Sequence, residues 1–223
     1  MQNRSTMPTR AASANTVSHR TRARTRRFAV AGVTAGALLL AGCTATGAAT
    51  TPPPAGQTAT SAADEILAPY GMSGQDARQV IDQLEALGLD ERPAELRASI
   101  RPDELLLADA DGHEASLPMP ADAFYVSIAP YVETTHECGY HSLTTCTGEL
   151  GGQTMHVVVT DTASGDVIVD DDLTAAPNGF VGLWVPRDAD LNVSVEAQGR
   201  TATADLSTAS PEDLTCITTM QLV

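Results

Sequence analysis

Lysine is absent from the 223-residue chain, and aromatic residues make up only 4% of it. All 13 basic residues are therefore arginines, and seven of them lie in residues 1–42, which contain no acidic residue. The remaining chain has six basic and 28 acidic residues, a formal net charge of −22. Nucleic acids and anionic lipid surfaces attract cationic patches. This shortage of positive charge argues against both as electrostatic partners.

A long hydrophobic run is also missing near the N-terminus. The apolar stretch FAVAGVTAGALLL, residues 28–40, is shorter than the roughly 20 residues that a membrane-spanning helix needs. It follows an arginine cluster between Arg20 and Arg27 and leads into LAGC, which ends at Cys43. This order is typical of a bacterial lipoprotein signal. We predict a signal peptide over residues 1–42 and a lipidated Cys43 that anchors the chain to the outer face of the cell membrane.

Several motifs of enzymes are absent as well. The sequence has no internal repeat, no phosphate-binding loop and no convincing pair of catalytic carboxylates. It has no Cys-x-x-Cys, which argues against thioredoxin-like exchange and against the usual spacing of structural zinc ligands. We interpret the protein as a binding protein and not as an enzyme.

Composition divides the mature chain into three regions. Residues 43–62 are small, polar and proline-rich, which predicts a flexible tether. Residues 63–122 are predicted to form a small helical N-terminal region. Residues 123–223 are predicted to form a β-rich domain that carries the metal site.

The helical region contains one clear amphipathic segment. Ser73 is a candidate N-cap, and apolar residues recur after it at helical spacing. These residues are Val80, Ile81, Leu84 and Leu87. A second short helix is predicted over residues 93–98, and DADG at residues 109–112 is predicted to be the turn of a hairpin or loop.

The C-terminal region is rich in short runs of β-branched residues. The runs are AFYVSIAPYV, MHVVVTD, DVIVDDDL, GFVGLWVP, LNVSVEAQ, TATADLS and CITTMQLV. Turn signals such as ASGD, PNG and AQGR separate them, a pattern that indicates an antiparallel sandwich or barrel. The expected fold class is α+β, with a small helical N-terminal region followed by an antiparallel β-sandwich-like C-terminal domain.

Cysteines and histidines are concentrated in THECGYHSLTTC, residues 135–146. With Cys43 assigned to the lipid, Cys138, Cys146 and Cys216 remain. This is an odd number in a compartment where paired cysteines usually form disulfides. A Cys138–Cys146 or Cys146–Cys216 disulfide with one spare thiol, a metal site and a thiol-redox pair all remain open from the residues alone.

Two histidines are placed to join the sulfurs. His141 follows Cys138 by three residues, so one helical turn would put both on one side. His136 precedes Cys138 by two residues, so an extended strand would point both in one direction. Three thiolates, or two thiolates and an imidazole, suit the soft ion Cu(I). The strand that begins at Cys216 would complete the set if it pairs near this cluster.

Four blocks of the sequence resemble the CueP family of periplasmic copper-binding proteins. The blocks are PYVETTHECGYHSLTTCTGELGG, GDVIVDDDLTAAPNGFVGLWVPRD, GRTATADLST and LTCITTMQL. The resemblance extends from about Ser73 to the C-terminus. It implies a copper site whose ligands are the residues matching the family's cysteine and histidine positions, Cys138, Cys146, Cys216, His136 and His141.

The resemblance also implies a role in buffering copper, protecting against copper stress and passing copper to partner enzymes. We therefore expect an extracytoplasmic, lipid-anchored copper-binding protein that sequesters or transfers Cu(I) in copper homeostasis and resistance. His141 is the expected imidazole ligand, and His136 is an auxiliary group. The expected partners are the copper ion, the membrane through Cys43, a copper-accepting protein and a second copy in a homodimer, but not nucleic acid.

Two other functions remain compatible with the residues. One is a thiol-dependent reductase that converts Cu(II) or Fe(III) and forms a disulfide in return. The other is a structural surface module stabilised by a permanent disulfide.

Overall fold

The computed structural model describes residues 62–223. The predicted signal peptide, the predicted lipidation site at Cys43 and the predicted tether as far as residue 61 lie outside the described residues. Residue 62 already belongs to a helix, α1, which covers residues 62–67 and continues into a 3-10 turn at Ala68–Tyr70. No helix within residues 62–223 is long and apolar enough to cross a membrane.

The amphipathic segment forms helix α2, Ala77–Glu85. Asp76 caps it, because its carboxylate accepts a hydrogen bond from the backbone N–H of Gln79, and the Gln79 side chain accepts one from the backbone N–H of Asp76. The predicted cap at Ser73 is therefore wrong, since Ser73 donates to the carbonyl of Asp64 instead. Val80, Ile81 and Leu84 of the apolar stripe are buried, as their spacing predicts, whereas Leu87 lies beyond the end of the helix and is partly buried.

The predicted helix over residues 93–98 is wrong. This segment leads into a strand, because burial alternates along it: Leu96, Ala98 and Ile100 are buried, while Arg97 between them is exposed. Period-two burial is the pattern of a strand with one face in the core.

An antiparallel sheet of three strands follows in the order β1-β2-β3, so the helical region also contains a sheet. Its strands are β1 Arg97–Ile100, β2 Glu104–Ala108 and β3 Glu114–Pro118. The predicted DADG turn joins β2 to β3. Gly112 there has φ of 86°, and the Asp109 carboxylate accepts a hydrogen bond from the His113 backbone N–H.

The C-terminal region forms two further sheets. One has the order β10-β4-β7 and the other β6-β5-β8-β9. The strands are β4 Phe124–Ile128, β5 Thr154–Asp161, β6 Val167–Thr174, β7 Val181–Val185, β8 Asp190–Ala197, β9 Arg200–Ser207 and β10 Cys216–Ile217. All predicted strand runs are present, and the α+β class is confirmed. The pairing is antiparallel except between β10 and β4, which run parallel.

The sheet β10-β4-β7 lies between two hydrophobic clusters. One face, with Val126 and Leu183, packs with the inward residues of β5 and β8. The other face, with Tyr125 and Trp184, packs against α2 and the N-terminal sheet. Because it is covered on both faces, every residue of β4 is buried. The register pairs Cys216 with Ser127, which brings the third cysteine to the end of this central strand.

Candidate metal centre

The loop that carries Cys138 is held at its start by one carboxylate. Oε2 of Glu149 accepts hydrogen bonds from the backbone N–H groups of Val132, Glu133 and Thr134 at 2.8, 3.0 and 3.2 Å. The Thr135 hydroxyl then donates to the Thr218 carbonyl at 2.6 Å. The loop is thus fixed to the C-terminal segment immediately before the first candidate ligand.

A second anchor joins the loop to Cys216. The carbonyl of Gly139 accepts hydrogen bonds from the backbone N–H groups of Thr215 and Cys216 at 3.1 and 3.2 Å. Cys216 is 1% exposed. Parallel pairing with β4 and this backbone contact together place the distant cysteine beside the loop, as the sequence hypothesis requires.

Residues 141–146 turn back toward Cys138. The carbonyl of His141 accepts from the Ile100 N–H at 2.8 Å, and the Leu143 N–H donates to the Ala98 carbonyl at 2.9 Å, so strand β1 holds the turn. The Cys146 N–H then closes it on the Ser142 carbonyl at 3.0 Å.

The turn places the sulfurs of Cys138 and Cys146 3.5 Å apart. A disulfide bond is about 2.05 Å long. Within residues 62–223 none of the three cysteines is in a disulfide, so the alternative of a Cys138–Cys146 or Cys146–Cys216 disulfide is not found there.

His141 is fully buried and bridges two different groups. Its Nδ1 lies 3.9 Å from the sulfur of Cys216. Its Nε2 lies 2.8 Å from Oε1 of Glu85, but the ring N–H is not aligned with that oxygen, so the contact is an ion pair and not a well-formed hydrogen bond. The ring of Phe180 packs on the imidazole with centroids 4.5 Å apart. One ring nitrogen therefore faces sulfur and the other faces a carboxylate.

All five residues predicted as ligands come together. The ligand atoms of His136, Cys138 and Cys146 lie within 4.8 Å of one another, and so do those of His141, Cys146 and Cys216. Cys146 belongs to both sets. Their roles as copper ligands stay a prediction, but the structure provides the juxtaposition on which it depends.

The family relationship follows from a comparison with protein-family models. The model described as periplasmic copper-binding protein CueP matches residues 79–221. The chain belongs to the CueP family. A solved structure described as "Crystal Structure of S.CueP" is 35% identical, with a TM-score of 0.67, and the match covers 72% of this chain and 97% of that one. A comparison with curated proteins finds none that matches.

Copper fits the donors of this CueP-family chain. The converging atoms are sulfur and imidazole nitrogen, the soft and intermediate donors that copper accepts. Magnesium and calcium prefer oxygen ligands instead. The carboxylate of Glu85 contacts Nε2 of His141, on the side of the ring away from Cys216, where it orients the imidazole.

The three thiols have very different acidities. Hydrogen bonds from Cys138 and Cys216, joined by those from His141 and the Ser142 backbone, lower the pKa of Cys146 far below its usual range. The hydrogen bond to Cys146 raises the pKa of Cys138 to about 11. Hydrogen bonds to Cys138 and Cys146, together with burial, raise the pKa of Cys216 strongly. Cys146 is therefore the resident thiolate, and its neighbours remain thiols until a metal displaces their protons.

Glu85 is a functional residue that sequence reasoning missed. Its carboxylate accepts hydrogen bonds from the Tyr125 hydroxyl at 3.0 Å and from the Asn178 side-chain amide at 2.6 Å, besides contacting His141. A signal was present, because Glu85 follows Ile81 by four residues and so lies on the buried face of α2. An acidic residue on an apolar stripe indicates a buried polar partner.

Arg92 was missed as well. Its Nη1 donates to the Cys146 carbonyl at 2.7 Å, although 54 residues separate the two. Burial lowers the pKa of the Arg92 guanidinium somewhat, while Glu85 and Cys146 oppose that change. The positive charge of Arg92 thus lies next to the Cys146 thiolate. No local pattern in the sequence predicts this contact.

Glu85 and His141 have pKa values displaced in opposite directions. Burial raises the pKa of Glu85, but contacts with His141, Asn178 and Tyr125 outweigh it, and the net value lies below the ordinary 4.5. Burial lowers the pKa of His141, but Cys146 and Glu85 outweigh it, and the net value lies above the ordinary 6.5. Both groups are therefore charged together over a wide pH range.

Replacing Glu85 with glutamine is expected to destabilise the copper-free protein most in mildly acidic solution. The lowered pKa of Glu85 contributes stability above about pH 4.5, and that stability is lost as pH falls through the folded-state value. The raised pKa of His141 contributes stability that is complete below about pH 6.5 and is lost as pH rises through the folded-state value. Both contributions are complete between these limits.

Urea unfolding of the reduced, copper-free protein at about pH 5.5 and about pH 8.5 measures this effect. We expect Glu85→Gln to lower the free energy of unfolding by about 3 kcal/mol at the lower pH, the cost of breaking a buried pair, and by less at the higher pH. Asp82→Asn is the control, since Asp82 is exposed on the same helix and surface changes usually stay within about 0.5 kcal/mol. An equal loss at both pH values would contradict the ion pair.

Proposed function

We propose that this CueP-family protein sequesters Cu(I) outside the cytoplasm and passes it to a copper-accepting protein. The observation that carries the proposal is the convergence of three sulfurs from distant positions with a buried imidazole. The proposed ligands are Cys138, Cys146, Cys216 and His141, with His136 as an auxiliary group. Binding and transfer need no catalytic base, so the proposed role is not enzymatic.

The surroundings of the site favour the reduced ion. Thiolates stabilise Cu(I) because both ligand and metal are soft. Cys216 is 1% exposed, His141 is 0% exposed, and Phe180 covers the imidazole ring. Side chains that exclude water also exclude the water ligands that Cu(II) would use, so the inner part of the cluster suits a metal of low coordination number.

The proposed location combines the family and the N-terminal sequence. The CueP family is periplasmic. Lipidation of Cys43 would tether the domain to the membrane surface by residues 43–62, and the acidic mature chain would have no electrostatic attraction of its own to anionic lipid. Mass spectrometry of the mature N-terminus measures whether Cys43 is the first residue and carries acyl chains.

Titration with Cu(I) against a competing chelator tests the proposed function. Reduced wild-type protein is expected to bind one Cu(I) tightly, whereas the Cys138→Ser/Cys146→Ser double variant is expected to lose that affinity, because one thiol of three remains. His156→Ala is the control, since His156 lies half-exposed on β5 beside Asp170 and Asp172. Equal binding by wild type and the double variant would overturn the proposal.

The close approach of two thiols favours a second candidate function. The sulfurs of Cys138 and Cys146 lie 3.5 Å apart, so a small movement would join them. Forming that disulfide from the Cys138 thiol and the Cys146 thiolate releases one proton and two electrons, and the two electrons can reduce two Cu(II) or two Fe(III) ions. Repeated turnover with a thiol donor would support a reductase, whereas a single round of reduction would support storage. A quantitatively oxidised, non-reducible pair in freshly isolated protein would instead indicate a structural module.

A further inference from the structure

The two ligand sets differ in their access to solvent. One set contains His136, which is exposed, and Cys138, which is half-buried. The other contains His141 and Cys216, both of which are buried. Cys146 is common to both. We call the first set the outer site and the second set the inner site.

The outer site opens into a cleft. The cleft has a volume of about 530 Å³ and is lined by residues 135–139 together with Tyr131, Thr218 and Thr219. The ligands of the outer site that belong to no other set, His136 and Cys138, both line it. Incoming copper therefore meets these two side chains before it meets the buried ones.

The backbone around the outer site is fixed on both sides. The Thr135 hydroxyl bonds to the Thr218 carbonyl, and the Gly139 carbonyl bonds to the N–H groups of Thr215 and Cys216. Between these anchors the hydrogen bonds of residues 62–223 leave the His136 imidazole without a protein partner, and its only ring contact there is edge-on to Phe180, with centroids 6.3 Å apart. The Cys138 sulfur contacts the Tyr140 carbonyl and the sulfurs of Cys146 and Cys216. These side chains can turn toward an incoming ion without disturbing the fold.

We infer that the protein holds copper at two successive sites, an outer site in the cleft made of His136, Cys138 and Cys146, and an inner site made of His141, Cys146 and Cys216. The inference rests on the proposed function and deepens it, because it states the order in which the ligands bind an incoming copper ion. The Cys146 sulfur stays bound while the other ligands are exchanged.

The exchange balances without an oxidant or a reductant. Bonds from Cu(I) to Cys138 and His136 break as bonds to Cys216 and His141 form. The Cys216 thiol and Nδ1 of the His141 imidazolium each give up a proton. The released Cys138 thiolate takes up one of these protons, and the other passes to solvent. No electron moves, and the charge of protein, ion and released proton together is unchanged. Transfer out of the protein follows the same steps in reverse, toward a partner whose own soft ligand reaches into the cleft.

Two variants separate the sites by kinetics and affinity. Stopped-flow exchange of Cu(I) with a bidentate chelator gives the rate constants of loading and release, and competition at equilibrium gives the affinity. His136→Ala is expected to slow loading and release alike by about tenfold, so that their ratio, the affinity, changes much less than either rate. His141→Ala is expected to lower the affinity and to speed release. His156→Ala on β5 is the control for replacement of a surface histidine.

Alkylation of thiols gives a second readout. In protein loaded with one Cu(I), Cys138 is expected to react with iodoacetamide, while Cys146 and Cys216 are protected. Peptide mass spectrometry distinguishes the three.

The outcomes separate the inference from the proposed function. If wild-type protein fails to bind Cu(I), the proposed function fails. If wild type binds but His136→Ala exchanges copper at the wild-type rate, or if all three cysteines are equally protected, a single site is present and the inference is overturned.

Discussion

Replacing Cys146 with serine is expected to abolish tight Cu(I) binding. Cys146 contributes to both sets of converging ligand atoms, so its loss removes a sulfur from each. It is also the resident thiolate, since hydrogen bonds from Cys138 and Cys216 hold its pKa far below the usual range. Serine is a hard oxygen donor with little affinity for a soft ion. The loss is expected to exceed the roughly 10- to 100-fold that changes in supporting residues cost at metal sites.

Equilibrium competition for Cu(I) measures this loss, and Cys138→Ser is the matched comparison. That variant leaves the buried set of His141, Cys146 and Cys216 complete, so it is expected to retain most of the affinity. The control variant Thr145→Ser lies in the same loop and keeps all the proposed copper ligands. Any loss of affinity in this variant would come from purification or folding and not from the ligands. If Cys146→Ser and Cys138→Ser lose Cu(I) affinity equally, the prediction that Cys146 serves both sets of ligands is wrong.

Replacing Gly179 with alanine is expected to cause a large loss of stability for the addition of a single methyl group. Gly179 has φ of 86°, a conformation that costs an L-residue about 1–2 kcal/mol. A Cβ there would collide with the backbone carbonyl of Gly148, which has no flexible side chain to move aside. Such overpacking typically costs a further ~1–3 kcal/mol. We expect a total loss of about 2–5 kcal/mol in the free energy of unfolding.

The position of Gly179 connects this loss to the metal site. The preceding Asn178 donates to Glu85, and the following Phe180 packs on the His141 ring. Urea unfolding measures the free energy. Gly165→Ala is the control, because Gly165 has φ of 78° but an added Cβ would meet no other atom within 4 Å, so only the backbone cost of about 1–2 kcal/mol applies. Equal losses for the two variants would show that the close approach to Gly148 is easily relieved.

Local patterns in the sequence were sufficient for most elements of the fold. The seven β-branched runs all contain strands, because alternating side chains and turn residues are local signals. The stripe of helix α2 was equally local. The failures occurred where tertiary contacts decided between alternatives. Ser73 and Asp76 are both good caps, and the contact of Ser73 with Asp64 selected Asp76. Residues 93–98 lead into strand β1 and do not form a helix, because pairing with β2 extends the chain from Arg97 onward and buries alternate residues.

The metal site also has residues that the sequence indicates and contacts that only the fold creates. The cysteines and histidines were recognisable from their clustering and from blocks that resemble a known family, and the family is confirmed over residues 79–221. Glu85 is far from His141 in the sequence, and only the packing of α2 on the central sheet brings them together. The cation of Arg92 reaches Cys146 in the same manner. Contacts of such long range leave no spacing in the sequence.

Residue types alone establish the chemistry that is available: two thiols and two imidazoles in one short segment, a third thiol at Cys216, an acidic lysine-free mature chain and a leader that ends at Cys43. The type of side chain decides which metals it accepts, and this does not depend on folding. Folding sets everything that depends on distance and burial. It brings Cys216 to the loop by parallel pairing with β4, buries His141 against Glu85, and leaves His136 in an open cleft. Proton affinity and access to solvent follow from those neighbours, because an imidazole or a thiol responds to the charges and dipoles within a few ångströms of it.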